Sequence, residues 1–188
     1  NKFSAPVHVV DMSEAVKNYP EAFLRGVPGG KFLRLADERG RTTGYVLAMD
    51  WGRYQTTEAA VEVLAHEYGH MVTLELYGRA DPRTRAAIDK AYDGWVQRQH
   101  GRQISDIMRD QMPGYERAMY RAGEGPTFDG QPTYATNFWE WSARNAALYI
   151  LDPKRPHLST VEKFFAKVGA VLRSLYQSLT GAPKTEAA

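Results

Sequence analysis

The sequence predicts an α+β fold in which a small sheet in the first third of the chain precedes a helical majority. Short β-branched runs and turn residues are concentrated before residue 50, whereas most segments after residue 57 have the composition and caps of helices. The length of 188 residues suits one domain with a real hydrophobic core and excludes two full-sized domains.

The strands and first helix are predicted from local patterns. Residues 6–10 form a short β-branched run, and a helix from Ser13 to about residue 19 follows it. Residues 31–36 and 43–49 are two β-capable runs on either side of the turn sequence DERG at residues 37–40. They predict a β-hairpin.

The rest of the chain is predicted to be helical around one long loop. Caps, proline positions and glycine stops give the boundaries of these segments. The predicted helices span residues 57–77 with Gly78 as the stop, 82–100 after the cap Asp81, 103–111, 114–122, 137–151, and 159–179 after the Ser159/Glu162 capping box. Residues 123–135, rich in glycine and proline, form the loop. We expect one domain over residues 1–180 and a disordered tail over 181–188.

Composition limits the function. The chain has 24 Lys+Arg against 22 Asp+Glu, a net charge of +2, so no polybasic tail or membrane anchor organises it. Without cysteine, a metal must be held by histidine and carboxylate. No segment approaches the run of about 18 apolar residues that spans a bilayer, so we expect a soluble protein. Because it begins at Asn1 rather than Met, we expect a domain of a longer polypeptide or a processed product.

The motif HEYGH at residues 66–70 carries the chemistry, and it lies inside the predicted helix 57–77. Residues four apart in a helix are separated by about 40° around the axis, so both imidazoles project from one face and can share a metal. Glu67 lies about 100° further round, where it can act as general base on a metal-held water. Gly69 indicates a close approach of another backbone. Two surface histidines on a solvated helix are the alternative.

A catalytic zinc needs a third protein ligand and an open position for water. His8, His100 and His157 lie in a predicted strand, at a helix end and beside a capping box, which are positions typical of surface or capping residues. They are weaker candidates than a buried carboxylate.

Glu140 is the candidate that the sequence favours. It lies among the aromatic residues of segment 137–143, where an acid needs a partner or a metal. Two alternatives stay open, because Asn137 and Glu140 also form a capping-box pattern and Arg144 can pair with Glu140 one turn further on.

HEYGH at residues 66–70, followed by YATNFWE at residues 134–140 and a helix ending near residue 151, resembles the zincin metallopeptidases of the gluzincin type. The chain is most similar to the group typified by the anthrax lethal factor catalytic domain, with its bacterial and phage toxin-like relatives. The resemblance implies a zinc-dependent endopeptidase with a zincin-like fold, in which Glu67 is the general base and Zn²⁺ is held by His66, His70 and Glu140.

The resemblance also implies three further features. Tyr134 would correspond to the tyrosine that hydrogen-bonds the oxyanion, although it lies one residue closer to the glutamate than expected. Arg144 stands where such sites often place an acidic residue, so the hydrogen-bond support of the ligands is unassigned. Residues 44–50 would be an edge strand that holds the substrate backbone, with an ordinary core strand as the alternative.

The expected partners are a protein or peptide substrate and other domains of a larger polypeptide. The resemblance implies a toxin or effector domain that is secreted or delivered into a target cell, whereas the sequence itself leaves an intracellular protein as the alternative.

The rival from another class is a helical binding module that contacts nucleic acid or an acidic partner. Its contact residues would be Arg98, Arg102, Arg109, Arg117 and Arg121, with Tyr115 and Tyr120. Because acidic residues are interspersed among these arginines, a solvated helix face is the favoured interpretation, and we do not expect a nucleic-acid partner. A DNA-associated zincin peptidase would combine both functions. An inactive zinc-binding domain is a further alternative, but a purely structural site would not need Glu67.

Overall fold

The structure is a computed structural model that describes residues 5–24, 28–54, 56–111, 121–133, 136–152, 154–156 and 158–180. Over these residues the fold is α+β, with three strands, six α-helices and two short 3₁₀ helices. All three strands precede residue 50, and the long helices follow. The predicted fold class is therefore confirmed at this level.

The sheet has the strand order β1-β3-β2. Its strands are β1 (Val7–Asp11), β2 (Gly30–Ala36) and β3 (Thr42–Met49). The hairpin β2–β3 confirms the prediction, since the Asp37 carboxylate accepts hydrogen bonds from the turn N–H groups of Arg39 and Arg41. β1 pairs with β3 in parallel on its other side. The expectation of an edge strand at residues 44–50 is therefore wrong, because this segment is the central strand with both edges paired.

Helix α1 (Met12–Asn18) covers one face of the sheet. It begins one residue before the predicted Ser13, because the Asp11 side chain caps it by accepting from the Ser13 N–H. A 3₁₀ helix, Pro20–Phe23, follows. The small core between α1 and the sheet contains Met12, Ala15, Phe23 and Ala48.

The larger core lies on the other face of the sheet, under α2 (Thr57–Arg79), α5 (Phe138–Leu151) and α6 (Thr160–Thr180). A second 3₁₀ helix, Trp51–Arg53, leads from β3 towards α2. The predicted stop at Gly78 is wrong: α2 continues through this residue to its C-cap at Ala80, since Gly78 has no positive φ.

Helices α3 (Pro82–Gln99) and α4 (Ile104–Gln111) connect α2 to the loop. Asp81 caps α3 as predicted. The described part of the loop, residues 121–133, is held in place because Phe128 is buried and its backbone hydrogen-bonds to Gly101 and Arg102.

Two predicted segments lie wholly or mostly outside the described residues. Of the predicted helix 114–122, residues 114–120 lie outside the described residues, and residues 121–122 are not helical. The predicted tail 181–188 also lies outside them.

Two glycines bring α5 close to its neighbours. A Cβ atom added at Gly69 of α2 would lie 2.7 Å from the carbonyl oxygen of Ala143, and one at Gly169 of α6 would lie 2.7 Å from that of Tyr149. Helix α5 is thus fixed between α2 and α6 by backbone contacts. Within the described ranges, no helix has both the length and the apolar character needed to cross a membrane.

Candidate metal centre

Helix α2 supplies three of the predicted site residues. Thr56 begins the helix by accepting from the Ala59 N–H, and the helix runs without interruption past the motif. His66 and His70, one turn apart, present their Nε2 atoms 3.2 Å from each other. Their rings meet at an interplanar angle of 84°. The helical spacing therefore converges both imidazoles on one point, as predicted.

Helix α5 brings Glu140 to the same point. Asn137 caps this helix by accepting from the Glu140 N–H at 3.0 Å, and the Glu140 side chain then lies in the first turn. The close approach of Gly69 to Ala143 places that turn beside the two histidines. Glu140 Oε2 lies 3.2 Å from Nε2 of His66, and Oε1 lies 3.5 Å from Nε2 of His70.

The three side chains can hold a metal ion. Ligand atoms 2.0–2.1 Å from a tetrahedral ion lie about 3.3 Å apart, and the observed separations are 3.2–3.5 Å. Two imidazole Nε2 atoms that face each other can share only one hydrogen, so hydrogen bonding alone accounts poorly for their approach. The donor set of two imidazoles and a carboxylate fits zinc. The side chains are still 18%, 14% and 10% exposed, which leaves solvent access for a fourth ligand.

Glu67 is buried beside this group, next to β2. A Cβ added at Gly30 would lie 3.0 Å from Cγ of Glu67, so β2 passes directly over the carboxylate. Burial raises the pKa of Glu67, against the opposing effect of His66, His70 and a hydrogen bond from the Phe32 backbone. A carboxylate with a raised pKa in such a setting is suited to proton transfer.

The ring of Phe32 also orients His70. It lies nearly parallel to the imidazole, with ring centroids 6.5 Å apart and an interplanar angle of 11°. Phe32 in turn stacks on the buried Tyr45 of β3 at 5.8 Å. The sheet therefore restricts the rotation of one of the two histidines.

The two alternative roles of Glu140, in helix capping with Asn137 and in an ion pair with Arg144, occur together with its contacts to the histidines. Asn137 does cap the helix, and the guanidinium of Arg144 lies 3.5 Å from Glu140 Oε2. Arg144 is itself buried and donates to Gln111. Burial opposes ionisation of Glu140, but hydrogen bonds from His66 and His70 outweigh it and hold its pKa well below the usual range.

The same contacts act on His66. Burial disfavours the charged imidazole, yet the hydrogen bond to Glu140 and the negative charge of Glu67 outweigh this effect and raise the pKa of His66. The group is thus a tightly coupled cluster in which each charge depends on its neighbours.

The aromatic neighbours of Glu140 in sequence do not surround its carboxylate as expected. Trp139 is 40% exposed and contacts Tyr77, whereas Trp141 is buried against Phe165. In a helix, adjacent residues point about 100° apart. The burial of Glu140 comes instead from α2 and Arg144.

Of the remaining candidate residues, two are described by the structure and two are not. His8 and His100 are exposed, as surface histidines were expected to be. Tyr134 and His157 lie outside the described residues, so their predicted roles are not tested.

Two arginines of the rival binding module are paired with acids. Arg102 lies 2.6 Å from Asp110, and Arg121 lies 3.7 Å from Glu124. Tyr115, Arg117 and Tyr120 belong to the part of the chain that is not described. These pairs agree with a solvated helix face.

Comparisons with models of protein families, with curated proteins and with solved structures gave no match to this chain. The chemistry of the site therefore has to be inferred from its own residues. Sequence reasoning missed Gly30 and Phe32, the two β2 residues beside Glu67. Their only signal was membership of a hairpin strand, which does not tell which strand lies against the motif helix.

Proposed function

We propose that the chain is a zinc-dependent endopeptidase of the zincin type, with His66, His70 and Glu140 as the zinc ligands. The observation that carries this proposal is the convergence of three donor atoms, 3.2–3.5 Å apart, from two helices. The HEYGH motif and the buried Glu67 beside the donors support a catalytic rather than a purely structural site.

Glu67 would move the protons of the reaction. Zinc, when bound, supplies Lewis acidity that makes water a nucleophile near neutral pH and polarises a carbonyl group. Glu67 would take the proton of the attacking water and later deliver it to the leaving amine of the cleaved peptide bond. Tyr134 stays the predicted hydrogen-bond donor to the oxyanion.

The substrate would pair with β2 instead of the central strand β3. Among the described strands β2 lies at one edge of the sheet, and Gly30 of this strand lies close to Glu67, since an added Cβ would be 3.0 Å from Cγ of Glu67. A peptide added along this edge would therefore run past the general base. A larger toxin or effector protein, secreted or delivered into a target cell, is the setting that the zincin resemblance implies.

Two variants, compared with wild type, test the proposal. Wild type, Glu67→Gln and Glu140→Ala would be dialysed against a weak chelator, and their zinc content and hydrolysis of an unstructured protein substrate measured. We expect wild type to hold one zinc per chain and Glu140→Ala to lose it, because two histidines alone bind zinc weakly. Glu67→Gln should keep zinc while its hydrolysis falls by about 10²–10⁴-fold.

Glu14→Gln is the matched control, since it removes a carboxylate that is exposed on α1. It should change neither zinc content nor hydrolysis. A wild-type protein that holds no zinc after loading with zinc and dialysis against the weak chelator, or undiminished hydrolysis by Glu67→Gln, would overturn the proposal.

A further inference from the structure

A histidine that binds a metal through Nε2 usually donates its Nδ1–H to a carboxylate or carbonyl, which fixes the tautomer and the ring orientation. Within the described part of the chain, both hydrogen bonds of His66 use Nε2. The charged residue one turn after Glu140 on α5 is Arg144, which has only donors and cannot accept from an imidazole N–H. This position of α5 therefore supplies no acceptor for His66.

Glu62 lies one turn before His66 on α2. Residues four apart are neighbours on a helix surface, about 5–6 Å between their Cβ atoms. Helical side chains point back towards the N-terminus, so the ring of His66 extends over the turn that holds Glu62. The sequence thus places a carboxylate on the side from which Nδ1 can be reached.

Among the residues that the structure describes, Oε2 of Glu62 is buried and has no hydrogen-bond partner. A buried carboxylate oxygen without a donor is costly, and such an atom in a folded protein calls for an explanation. A donor from the adjacent His66 would satisfy the carboxylate and orient the imidazole at the same time.

We propose that Glu62 is the positioning residue of the metal centre, accepting the Nδ1–H of His66 while Nε2 binds zinc. This inference rests on the proposed zinc site. Glu62 makes no contact with the metal in this role. It acts by holding the ring of His66 in the neutral tautomer that has its lone pair on Nε2.

The test measures zinc affinity and the imidazole protons of wild type, Glu62→Gln and Glu62→Ala. The dissociation constant of zinc, measured by competition with a chromogenic chelator, should rise about 10–100-fold in Glu62→Ala. Glu62→Gln keeps an acceptor oxygen without the charge, so its constant should lie between those of wild type and Glu62→Ala. The Nδ1–H resonance of one zinc-bound histidine should shift in Glu62→Ala, a change that general loosening of the fold would not confine to one ring.

Glu14→Gln again serves as the control and should bind zinc like wild type. Unchanged affinity and an unchanged Nδ1–H resonance in Glu62→Ala would overturn the role of Glu62 while leaving the zinc site intact. Absence of zinc binding by wild type would instead remove the proposed function. If Glu62→Ala does not fold, the test uses Glu62→Gln alone. A zinc dissociation constant and an Nδ1–H resonance equal to those of wild type in Glu62→Gln would overturn the inference.

Discussion

Gly30 determines the space available to Glu67. A Cβ at this position would lie 2.7 Å from a methyl group of Val63, closer than such atoms approach in folded proteins, and 3.0 Å from Cγ of Glu67, tighter than most such contacts. Gly30 has no positive φ, so its backbone conformation is open to other residues. The constraint on this residue is thus steric contact with Val63 and with the proposed general base.

Gly30→Ala should lower peptidase activity while zinc stays bound. The added methyl group would displace Glu67 by a fraction of an ångström or more, and misplacement of a catalytic group by about 1 Å can cost about 10²-fold in rate. The atoms nearest to the added methyl group belong to Val63 and Glu67 and not to a zinc ligand, so zinc content should be unchanged. The measurement is kcat/KM beside the zinc content of the same preparation.

Gly44→Ala is the matched control in the same sheet. Its Cβ would meet Leu35 at 3.5 Å, an ordinary van der Waals contact. Equal losses of activity in the two variants would show that the sheet tolerates no added methyl group, and would contradict a specific effect on Glu67.

At the scale of elements, the crossing of α2 and α5 builds the site. Gly69 packs on the backbone of Ala143, and this contact sets Glu140 opposite His66 and His70. A glycine inside a helix costs about 1 kcal/mol relative to alanine. The close crossing offsets this cost because it brings the third ligand within reach of the other two.

Gly69→Ala should destabilise the protein and weaken zinc binding together. The added Cβ would meet three backbone atoms of Ala143 at 2.7–3.3 Å, and backbone cannot yield without moving a helix. Overpacking of this kind costs about 1–3 kcal/mol, which exceeds the gain in helix propensity. Urea denaturation in EDTA and zinc titration of the folded protein would check the two effects.

Gly78→Ala provides the contrast on the same helix. Nothing lies within 4 Å of a Cβ at this position, so the variant should gain up to about 1 kcal/mol with unchanged zinc affinity. The assigned role of the crossing would be contradicted if Gly69→Ala were more stable than wild type. It would also be contradicted if Gly78→Ala lost as much stability as Gly69→Ala.

These elements also show what the sequence could predict. The HEYGH motif and the capped helices carry local signals, so the positions of His66, Glu67 and His70 on one helix followed from residue composition, the absence of proline and the spacing of the motif. Glu140 was found because its segment combined a buried acid with the need for a third ligand. The strand order was not found, because the parallel pairing of β1 with β3 joins residues more than 30 positions apart and leaves no local pattern.

For the whole molecule, the proposed metal joins distant parts of the chain. His66 and His70 lie on α2, whereas Glu140 lies on α5, beyond α3, α4 and the loop that contains residues 121–133. The same two helices cover the sheet and form much of the larger core. An ion bound by all three side chains therefore stabilises the native packing of α2 on α5 and has no preformed site in the unfolded chain.

Zinc should accordingly raise the melting temperature of the whole domain. At free zinc of 100 times its dissociation constant, binding adds about 2.7 kcal/mol. For a chain of this size, this corresponds to about 5–10 °C. The measurement is thermal denaturation of Glu67→Gln in EDTA and in buffered zinc. This variant is used because it should keep the zinc ligands but should not digest itself. His70→Ala in the same background should show no such shift, and an equal shift in both proteins would mean that zinc stabilises the fold from another site.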